Sequence, residues 1–506
     1  MGGAAAAANP WTNAAVPPVN IPPDRPVAGA AGPPTRTRFD RAPAALRVAA
    51  AVVVVAMIAG AAYVLIAGGR QYPEAWDARV KPITDWVEKE RDLTYDHPVK
   101  VNFLTEEQYS ARATEGGSVD DQATKDYYAD QVAQLRALGF LSGEVDLAAA
   151  NDTLSDSGTL AYYDPEIDEV FVRGTELTPA LRVTLAHELT HVLQDQKFDL
   201  TRIDDYDDGR AGVLRAVAEG DATKVEEAYV ADVLTDEERK AYEEESRATG
   251  EDAGEEIDTK VPPIMTTLFS APYILGPRLI SVLYETGSWR AIDAALQDPP
   301  SEEGLFNPLV LDTDDMEPIT VDVVAPEGAE VIERGEFGPT ALYLMLAARL
   351  DPEVALDAVD GWGGDRYVVY REDDAVCVSM AAEGDGADQT NELADALTVW
   401  AGMSPEKSAS VEKEGDGVVL RSCDPGKDAP AVGDEASSEL LVLPVTRTDV
   451  YTQALQAGRT PAQARCYADG VLEALTFEQI SDPEGAFVSS SEGQQVLVGI
   501  AQGCFG

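Results

Sequence analysis

Basic residues are scarce in this sequence. Its 506 residues include 38 lysines and arginines against 91 aspartates and glutamates, which gives a formal net charge of −53 at pH 7. Residues 1–70 hold six arginines and two aspartates, so the remainder of the chain carries −57. A surface of this sign repels nucleic acid and anionic lipid head groups. The shortage of cations therefore argues against a nucleic-acid partner and favours a domain kept soluble outside the cell.

Cysteine is scarce as well, with four residues that all lie in the C-terminal third: Cys377, Cys423, Cys466 and Cys504. No two of them have the close spacing of a cysteine-rich metal site, which is the alternative use of such residues. An even number in an exported region predicts two disulfides. Four cysteines allow three connectivities. We favour Cys377–Cys423 and Cys466–Cys504, because each pair lies within one candidate subdomain.

Histidine is rarer still, with three in the chain, yet His187 and His191 stand four residues apart in the run His-Glu-Leu-Thr-His. On an α-helix, residues i and i+4 lie on one face, so both imidazoles can bind one metal ion. Glu188 projects close to that face, where it can take a proton from a metal-bound water. Gln194 and Lys197 occupy the positions at which the longer HExxHxxGxxH motif has glycine and a third histidine. The sequence therefore predicts a zinc site whose third ligand lies elsewhere.

The residues around this motif favour a helix. Thr178 supplies a capping hydroxyl, and Pro179 suits the first helical position. Apolar residues recur on the side away from the histidines: Leu181, Leu185, Leu189, Val192 and Leu193. We expect the helix to run from about Pro179 to about Gln196.

The third zinc ligand is expected to be a carboxylate on a second helix, residues 211–230. We select Glu219, which lies in the run Ala-Glu-Gly-Asp-Ala. Glu226 and Glu227 on the same helix are weaker candidates for this position. Asp221 is expected to orient one of the ligands without binding the metal ion itself.

The motifs on these two helices resemble those of a known enzyme family. The run His-Glu-Leu-Thr-His, followed by a glutamate in Ala-Glu-Gly-Asp-Ala, resembles the gluzincin type of zinc metallopeptidase. Residues 267–308, with Tyr-Glu-Thr-Gly-Ser-Trp, and residues 361–367, Gly-Trp-Gly-Gly-Asp-Arg-Tyr, resemble membrane-anchored bacterial neutral zinc metallopeptidases. The resemblance implies endopeptidase activity. It also implies these roles: zinc ligands His187, His191 and Glu219, and general base Glu188.

The N-terminal region has the features of a membrane anchor. An uncharged run of 22 residues, 48–69, is long enough for one membrane-spanning helix. Five arginines precede this run and only one follows closely, which places the N-terminus in the cytoplasm and the remainder outside. Residues 1–41, rich in alanine, proline and glycine, are expected to form a disordered cytoplasmic tail. The sequence thus predicts a single-pass protein of the cell membrane with an extracellular C-terminal part.

The extracellular part is expected to have an α+β fold in three sections. Residues 71–350 are predicted to form a zincin-like metallopeptidase domain, with a small sheet or hairpin followed by the HExxH helix and a helical half. Residues 351–440 read as a βαβ-like part that contains Cys377–Cys423, and residues 441–506 as a small helical disulfide module. The acidic run 204–208 lacks the spacing of a calcium loop and is expected to be a solvated connection, with calcium binding as the alternative.

Three segments of the first section have more than one interpretation. Residues 159–173 predict a hairpin, whose edge strand either pairs with an extended substrate peptide or is purely structural. Residues 234–262 are highly charged and are expected to be a mobile or partly helical insertion. Residues 268–296 predict further helix, in which Tyr273 and Tyr284 either stabilise an oxyanion or pack in the core.

The sequence as a whole predicts a membrane-anchored, extracytoplasmic zinc-dependent endopeptidase that acts on a peptide or protein substrate of the cell envelope. In the expected mechanism, Zn²⁺ activates a water and Glu188 is its general base. Two alternatives stay open: a catalytically inactive envelope binding or assembly protein that retains the zincin fold, and a zinc-dependent hydrolase of a non-peptide bond. The intact Glu188 argues against the first, because a binding scaffold needs no base there.

Overall fold

The computed structural model describes residues 72–113, 122–156, 160–206, 208–312, 318–373, 375–433 and 436–505. The expected tail, 1–41, and the expected membrane span, 48–69, lie outside the described residues. None of the helices within the described ranges combines the length and the apolar character needed to cross a bilayer.

The N-terminal half combines a small sheet with long helices. In chain order its elements are α1 (Lys81–Arg91), β1 (Lys100–Leu104), α2 (Glu106–Ala113), α3 (Gln122–Ala137), α4 (Leu147–Asp156), β2 (Ala161–Asp164), β3 (Glu169–Arg173), α5 (Pro179–Phe198), α6 (Asp208–Asp232), α7 (Asp236–Lys260), α8 (Pro263–Gly287), α9 (Trp289–Gln297) and α10 (Glu302–Phe306). A 3-10 turn, Leu200–Asp205, joins α5 to α6 in the region of the acidic run.

The first sheet has the strand order β1-β3-β2. β1 runs parallel to β3, whereas β2 pairs antiparallel with β3 and places Tyr162 opposite Phe171. Asp168 lies in the turn between β2 and β3 with a φ of 60°, a left-handed conformation that aspartate tolerates better than most residues. The predicted hairpin is therefore confirmed, and β2 is an edge strand that packs against α5.

Helix α5, which carries the HExxH motif, begins where local chemistry predicts. The Thr178 side chain accepts a hydrogen bond from the Leu181 backbone N–H at 3.3 Å, and Pro179 occupies the first turn. The helix ends at Phe198, two residues beyond the expected end, and Asp199 closes it in a left-handed conformation. The prediction of this helix is confirmed.

Helix α7 replaces the expected mobile or partly helical insertion. It is continuous over 25 residues and begins with a capping box formed by Thr235 and Glu238. Arg182 on α5 pairs with Glu238 at 2.6 Å, and Glu245 Oε2 accepts a hydrogen bond from the Ala180 N–H at 3.1 Å. Two of its acidic residues, Glu238 and Glu245, thus bind α7 to the first turn of α5.

Helices α6 and α8 pack closely because each has a glycine at the contact, Gly220 on α6 and Gly276 on α8. A Cβ atom at Gly276 would lie 2.1 Å from the Ala216 carbonyl oxygen, and one at Gly220 would lie 2.5 Å from the Gly276 carbonyl group. Neither position has room for a side chain unless the backbones separate. This contact fixes Glu219, the residue before Gly220, in relation to α8.

The C-terminal half is built on a second sheet. Its elements are β4 (Glu330–Gly335), α11 (Gly338–Ala347), α12 (Pro352–Val359), β5 (Trp362–Glu372), β6 (Ala375–Gly384), α13 (Ala387–Gly402), β7 (Ala409–Glu414), β8 (Gly417–Cys423), α14 (Val442–Gln456), α15 (Pro461–Ala474), α16 (Phe477–Ser481), α17 (Ala486–Ser489) and α18 (Ser491–Phe505). With both sheets and their helices in place, the prediction of an α+β fold is confirmed.

The second sheet differs from the expected βαβ-like unit. Its order is β4-β5-β6-β8-β7, and every neighbouring pair is antiparallel. Helix α13 does separate β6 from β7, as the strand–helix–strand order predicts, but a βαβ unit joins parallel strands. Here the chain returns through the β7–β8 hairpin, and β8 inserts antiparallel beside β6.

Both predicted disulfides are confirmed. Cys377 on β6 lies directly opposite Cys423 on β8 and is bonded to it. Cys466 on α15 is bonded to Cys504 on α18. Each bridge joins neighbouring elements of the C-terminal half.

Buried apolar side chains form distinct clusters. The largest joins the second sheet to the helices on both sides of it in sequence, and includes Leu342, Trp400 and Leu497. The two predicted C-terminal sections therefore share one core. A second cluster surrounds α5 and includes Leu189, and a third, with Leu279, lies among α6, α8 and α9. Helix α6 contributes to both of the last two clusters, so it stands between them.

Candidate metal centre

Two adjacent helices bring three possible metal ligands together. His187 and His191 lie one turn apart on α5, and Glu219 faces them from α6. One ligand atom from each lies within 4.8 Å of the others, and all three residues are buried. The pairwise distances are 3.1 Å between the two Nε2 atoms, and 3.2 Å and 3.4 Å from Glu219 Oε2 to His187 Nε2 and His191 Nε2.

These distances fit a zinc ion. Donor atoms around a tetrahedral zinc, with bonds of about 2.0–2.1 Å, are separated by about 3.3–3.4 Å. The three observed separations lie close to that value, so the donors need to move little to enclose an ion. Two imidazoles and a carboxylate are also a donor set that suits zinc. Three protein ligands leave one coordination position for water or substrate.

Electrostatics keep the carboxylate ionised. Burial by itself favours the neutral form of Glu219, but the neighbouring His191 and His187 outweigh it and hold the pKa of Glu219 below its usual range. Glu219 Oε1, the oxygen turned away from the histidines, accepts a hydrogen bond from the Tyr273 hydroxyl at 3.1 Å. A charged carboxylate is therefore directed at the two imidazoles.

The two carboxylate oxygens of Glu188 differ in their hydrogen bonding. Its Oε2 accepts a hydrogen bond from the Tyr163 backbone N–H on the edge strand β2 at 2.9 Å. Its Oε1 is buried without a hydrogen-bond partner in the described structure. Burial raises the pKa of Glu188 to about 7, against the opposing charges of His191 and His187. A carboxylate oxygen of this kind is suited to accept a proton from a bound water.

His191 is oriented by a buried chain of polar groups. Its Nδ1 lies 2.9 Å from Gln194 Oε1, and Gln194 Nε2 donates to Asp221 Oδ2 at 2.8 Å and to the Ala218 carbonyl at 3.0 Å. Arg91, from the end of α1, forms a buried salt bridge with Asp221 at 2.9 Å. Asp221 was expected to orient a ligand, and it reaches His191 through Gln194.

Arg91 is held on several sides. Besides Asp221, it pairs with Asp293 on α9 at 2.7 Å. Its guanidinium lies 4.4 Å from the centre of the Trp289 ring. Gln194 and Arg91 were not recognised as site residues in the sequence. Gln194 lies three residues beyond His191 on the same helix, so the sequence offers it as a polar partner of that histidine. The contact of Arg91 with Asp221 spans 130 residues, and nothing in the sequence near either residue predicts it.

His187 makes a separate contact at its other nitrogen. Its Nδ1 lies 3.2 Å from Glu226 Oε2, on the side of the ring opposite the Nε2 atom that faces Glu219. Glu226, a weaker candidate for third ligand, therefore faces the nitrogen that points away from the cluster. The Tyr242 hydroxyl of α7 donates to Glu226 Oε1 at 3.1 Å.

The two tyrosines of α8 are placed differently. Tyr273 contacts Glu219, and burial followed by the Glu219 charge raises the pKa of the Tyr273 hydroxyl well above its usual value, so the hydroxyl keeps its proton. Tyr284 packs edge-on against Trp289, with the Lys224 ammonium 3.8 Å from its ring centre. Tyr273 thus belongs to the cluster, and Tyr284 packs beside it.

A second convergence of donor atoms has a different explanation. Glu372 lies near Cys377 and Cys423 at the end of the second sheet. The two sulfur atoms are bonded to each other, so neither is available as a thiolate ligand.

Comparison with known proteins gives one family match, and it covers the second sheet. Residues 328–442 match a domain of unknown function, DUF8575. The matched segment runs from β4 past β8 and contains none of the candidate ligands. No curated protein and no solved structure matches the chain.

Proposed function

We propose that this chain is a zinc-dependent peptidase with a zincin-like arrangement of α5 and α6. The observation that carries the proposal is the convergence of His187, His191 and Glu219 at separations suited to zinc, beside a carboxylate oxygen of Glu188 that has no hydrogen-bond partner among the described residues. A buried carboxylate oxygen without a hydrogen-bond partner is destabilising. The position of Glu188 Oε1 therefore favours a role in which this oxygen interacts with water or substrate.

The roles of the residues follow from their positions. His187, His191 and Glu219 would hold a zinc ion, which would supply a Lewis acid for the activation of water and the polarisation of a carbonyl. Glu188 Oε1 accepts the proton of the attacking water and later delivers it to the leaving amine. The Tyr163 N–H holds the other oxygen of Glu188, which directs Oε1 to the reacting atoms. Tyr273 supports the charge of Glu219.

The substrate and the location belong to the same proposal. Strand β2 is an edge strand next to the candidate site, and an edge strand can pair with an extended peptide through the backbone groups that are not already bonded, as the Tyr163 N–H is to Glu188. We therefore propose endopeptidase action on peptides or proteins of the cell envelope. Two disulfides favour an oxidising compartment. An oxidising compartment agrees with two further parts of the proposal: residues 48–69 anchor the chain in the membrane, and the remainder is extracellular.

The test is the substitution Glu188→Gln in the full chain, with zinc content and peptide hydrolysis measured on the same sample. We expect zinc content to stay unchanged and hydrolysis to fall at least about 100-fold, because a general base contributes on that order. Glu227, the other weaker candidate for third ligand, is exposed and lies outside the cluster of candidate ligands, so Glu227→Gln is the control. Undiminished hydrolysis by Glu188→Gln would refute the proposed mechanism. Zinc binding without peptide hydrolysis by the unaltered chain would instead support an inactive binding or assembly protein.

A further inference from the structure

We propose that Tyr242 on α7 is a positioning residue for the candidate ligand His187 and that it acts through Glu226. The inference rests on the proposed zinc site, and it assigns a role to the acidic segment that follows α6. The three side chains form a continuous series from α7 through α6 to α5, with contacts of 3.1 Å and 3.2 Å.

The first step concerns the two nitrogens of His187. A neutral imidazole has one nitrogen free to bind a metal, and the other carries the proton. Nε2 of His187 faces Glu219 and His191, so when Nε2 binds the metal ion, Nδ1 carries the proton. The Nδ1–H group then donates to Glu226 Oε2 at 3.2 Å, which fixes both the tautomer and the orientation of the ring.

The second step concerns the other oxygen of Glu226. Its Oε1 accepts a hydrogen bond from the Tyr242 hydroxyl at 3.1 Å. Burial, followed by the charge of Glu226, raises the pKa of Tyr242, so the hydroxyl remains protonated and can donate. The carboxylate is therefore held at both ends, by Tyr242 on one oxygen and His187 on the other.

The third step concerns the position of α7 itself. Arg182 pairs with Glu238, and the Ala180 N–H donates to Glu245, so α7 is fastened to the first turns of α5 on both sides of Tyr242 in sequence. The helix that holds the orienting chain is thus anchored to the helix that carries His187. A shift of α7 along α5 would separate Tyr242 from Glu226.

The experiment measures zinc affinity of the full chain by competition with a chromophoric chelator, together with the visible absorption of the cobalt-substituted protein. Glu226→Gln is expected to weaken zinc binding about 10- to 100-fold, as loss of such a partner commonly does. Tyr242→Phe keeps the ring and is expected to weaken it about 3- to 10-fold, because the carboxylate remains but is less firmly held. Both changes should alter the cobalt spectrum, since each changes the orientation of an imidazole ligand.

Two controls and a double variant separate this role from general packing. Glu227→Gln places the same substitution at the exposed neighbouring position, and Tyr229→Phe removes a hydroxyl from a buried residue of α6. Neither should change zinc affinity or the cobalt spectrum. In the double variant, Tyr242→Phe should add little to Glu226→Gln, because the hydroxyl acts through that carboxylate. Fully additive losses would overturn the inference in favour of a structural role for α7.

The failures of the two proposals are distinguishable. If the unaltered chain binds zinc and hydrolyses peptides, while Glu226→Gln and Tyr242→Phe bind zinc equally well with unchanged cobalt spectra, only the positioning role is overturned. If the unaltered, folded chain binds no zinc, both proposals fail.

Discussion

At the scale of single residues, the two oxygens of Glu219 have different neighbours. Oε2 lies 3.2 Å from His187 and 3.4 Å from His191, and Oε1 accepts the Tyr273 hydroxyl. The carboxylate is thereby directed at the imidazoles, and its charge balances part of that of a divalent ion. An amide at this position would keep the shape of the side chain but lose the charge.

Glu219→Gln should therefore lower zinc affinity more than about 100-fold, which exceeds the effect of losing a partner of a ligand. Chelator competition and elemental analysis of the purified protein measure this loss. Glu227→Gln is again the matched control. Full zinc occupancy in Glu219→Gln at limiting zinc would contradict the assignment of Glu219 as a ligand.

At the scale of elements, the contact between α6 and α8 sets the distance between Glu219 and Tyr273. The contact depends on Gly220 and Gly276, because a Cβ at Gly276 would lie 2.1 Å from the Ala216 carbonyl oxygen. The clash is with backbone, which yields less readily than the end of a flexible side chain. A methyl group here would force the two helices apart.

Gly276→Ala is expected to destabilise the protein by about 1–3 kcal/mol, the usual cost of overpacking, partly offset by about 0.5–1 kcal/mol from the better helix propensity of alanine. Zinc affinity should fall with it, because the two helices carry Glu219 and its partner. Thermal unfolding and chelator competition test both effects. Gly212→Ala on α6 is the control, since a Cβ there meets no atom within 4 Å. Equal behaviour of the two variants would contradict this account.

The elements also show what the sequence could predict. Helix α5 was placed to within two residues because its start depends on Thr178 and Pro179, which are local signals. Helix α7 was not predicted as a continuous helix, because an acidic segment without a clear apolar face lacks a helical pattern, and its order comes from contacts such as Arg182–Glu238. The βαβ-like interpretation was wrong because the direction of strand pairing is set by contacts far apart in sequence. The candidate ligands were identified in the sequence, whereas Arg91 was not.

At the scale of the whole molecule, a metal ion in the candidate site would link α5 to α6, and through Tyr273 also to α8. Helices α5 and α8 contribute to different clusters of buried side chains, and α6 contributes to both of these clusters. An ion that binds only the folded chain stabilises it by mass action.

Removal of zinc should therefore lower the thermal unfolding midpoint. When free zinc is about 1,000-fold above its dissociation constant, the expected loss of stability is about 4 kcal/mol. Scanning calorimetry of the full chain with and without a strong chelator measures the change. The midpoint of Glu219→Gln should respond far less to the chelator, and an equal decrease in both proteins would show that the chelator acts elsewhere.

The disulfide between β6 and β8 acts on a different part of the molecule. It closes a sequence separation of 46 residues, for which chain entropy predicts a stabilisation of about 4 kcal/mol. Replacing Cys377 and Cys423 together by serine should lower the unfolding midpoint and leave zinc content unchanged, because the second sheet supplies none of the candidate ligands. A loss of zinc at temperatures where the variant is folded would contradict this separation.

The buried salt bridges of Arg91 have a mechanical consequence. Arg91 ends α1, the first helix in the described part of the chain, and binds Asp221, two residues from Glu219. A force applied to the chain before α1 would therefore be transmitted along that helix and through the Arg91–Asp221 salt bridge to α6. Tension on the N-terminal end would reach the helix of Glu219 through Arg91, and the helix of the two histidines through the packing of Ile83 and Val87 against α5.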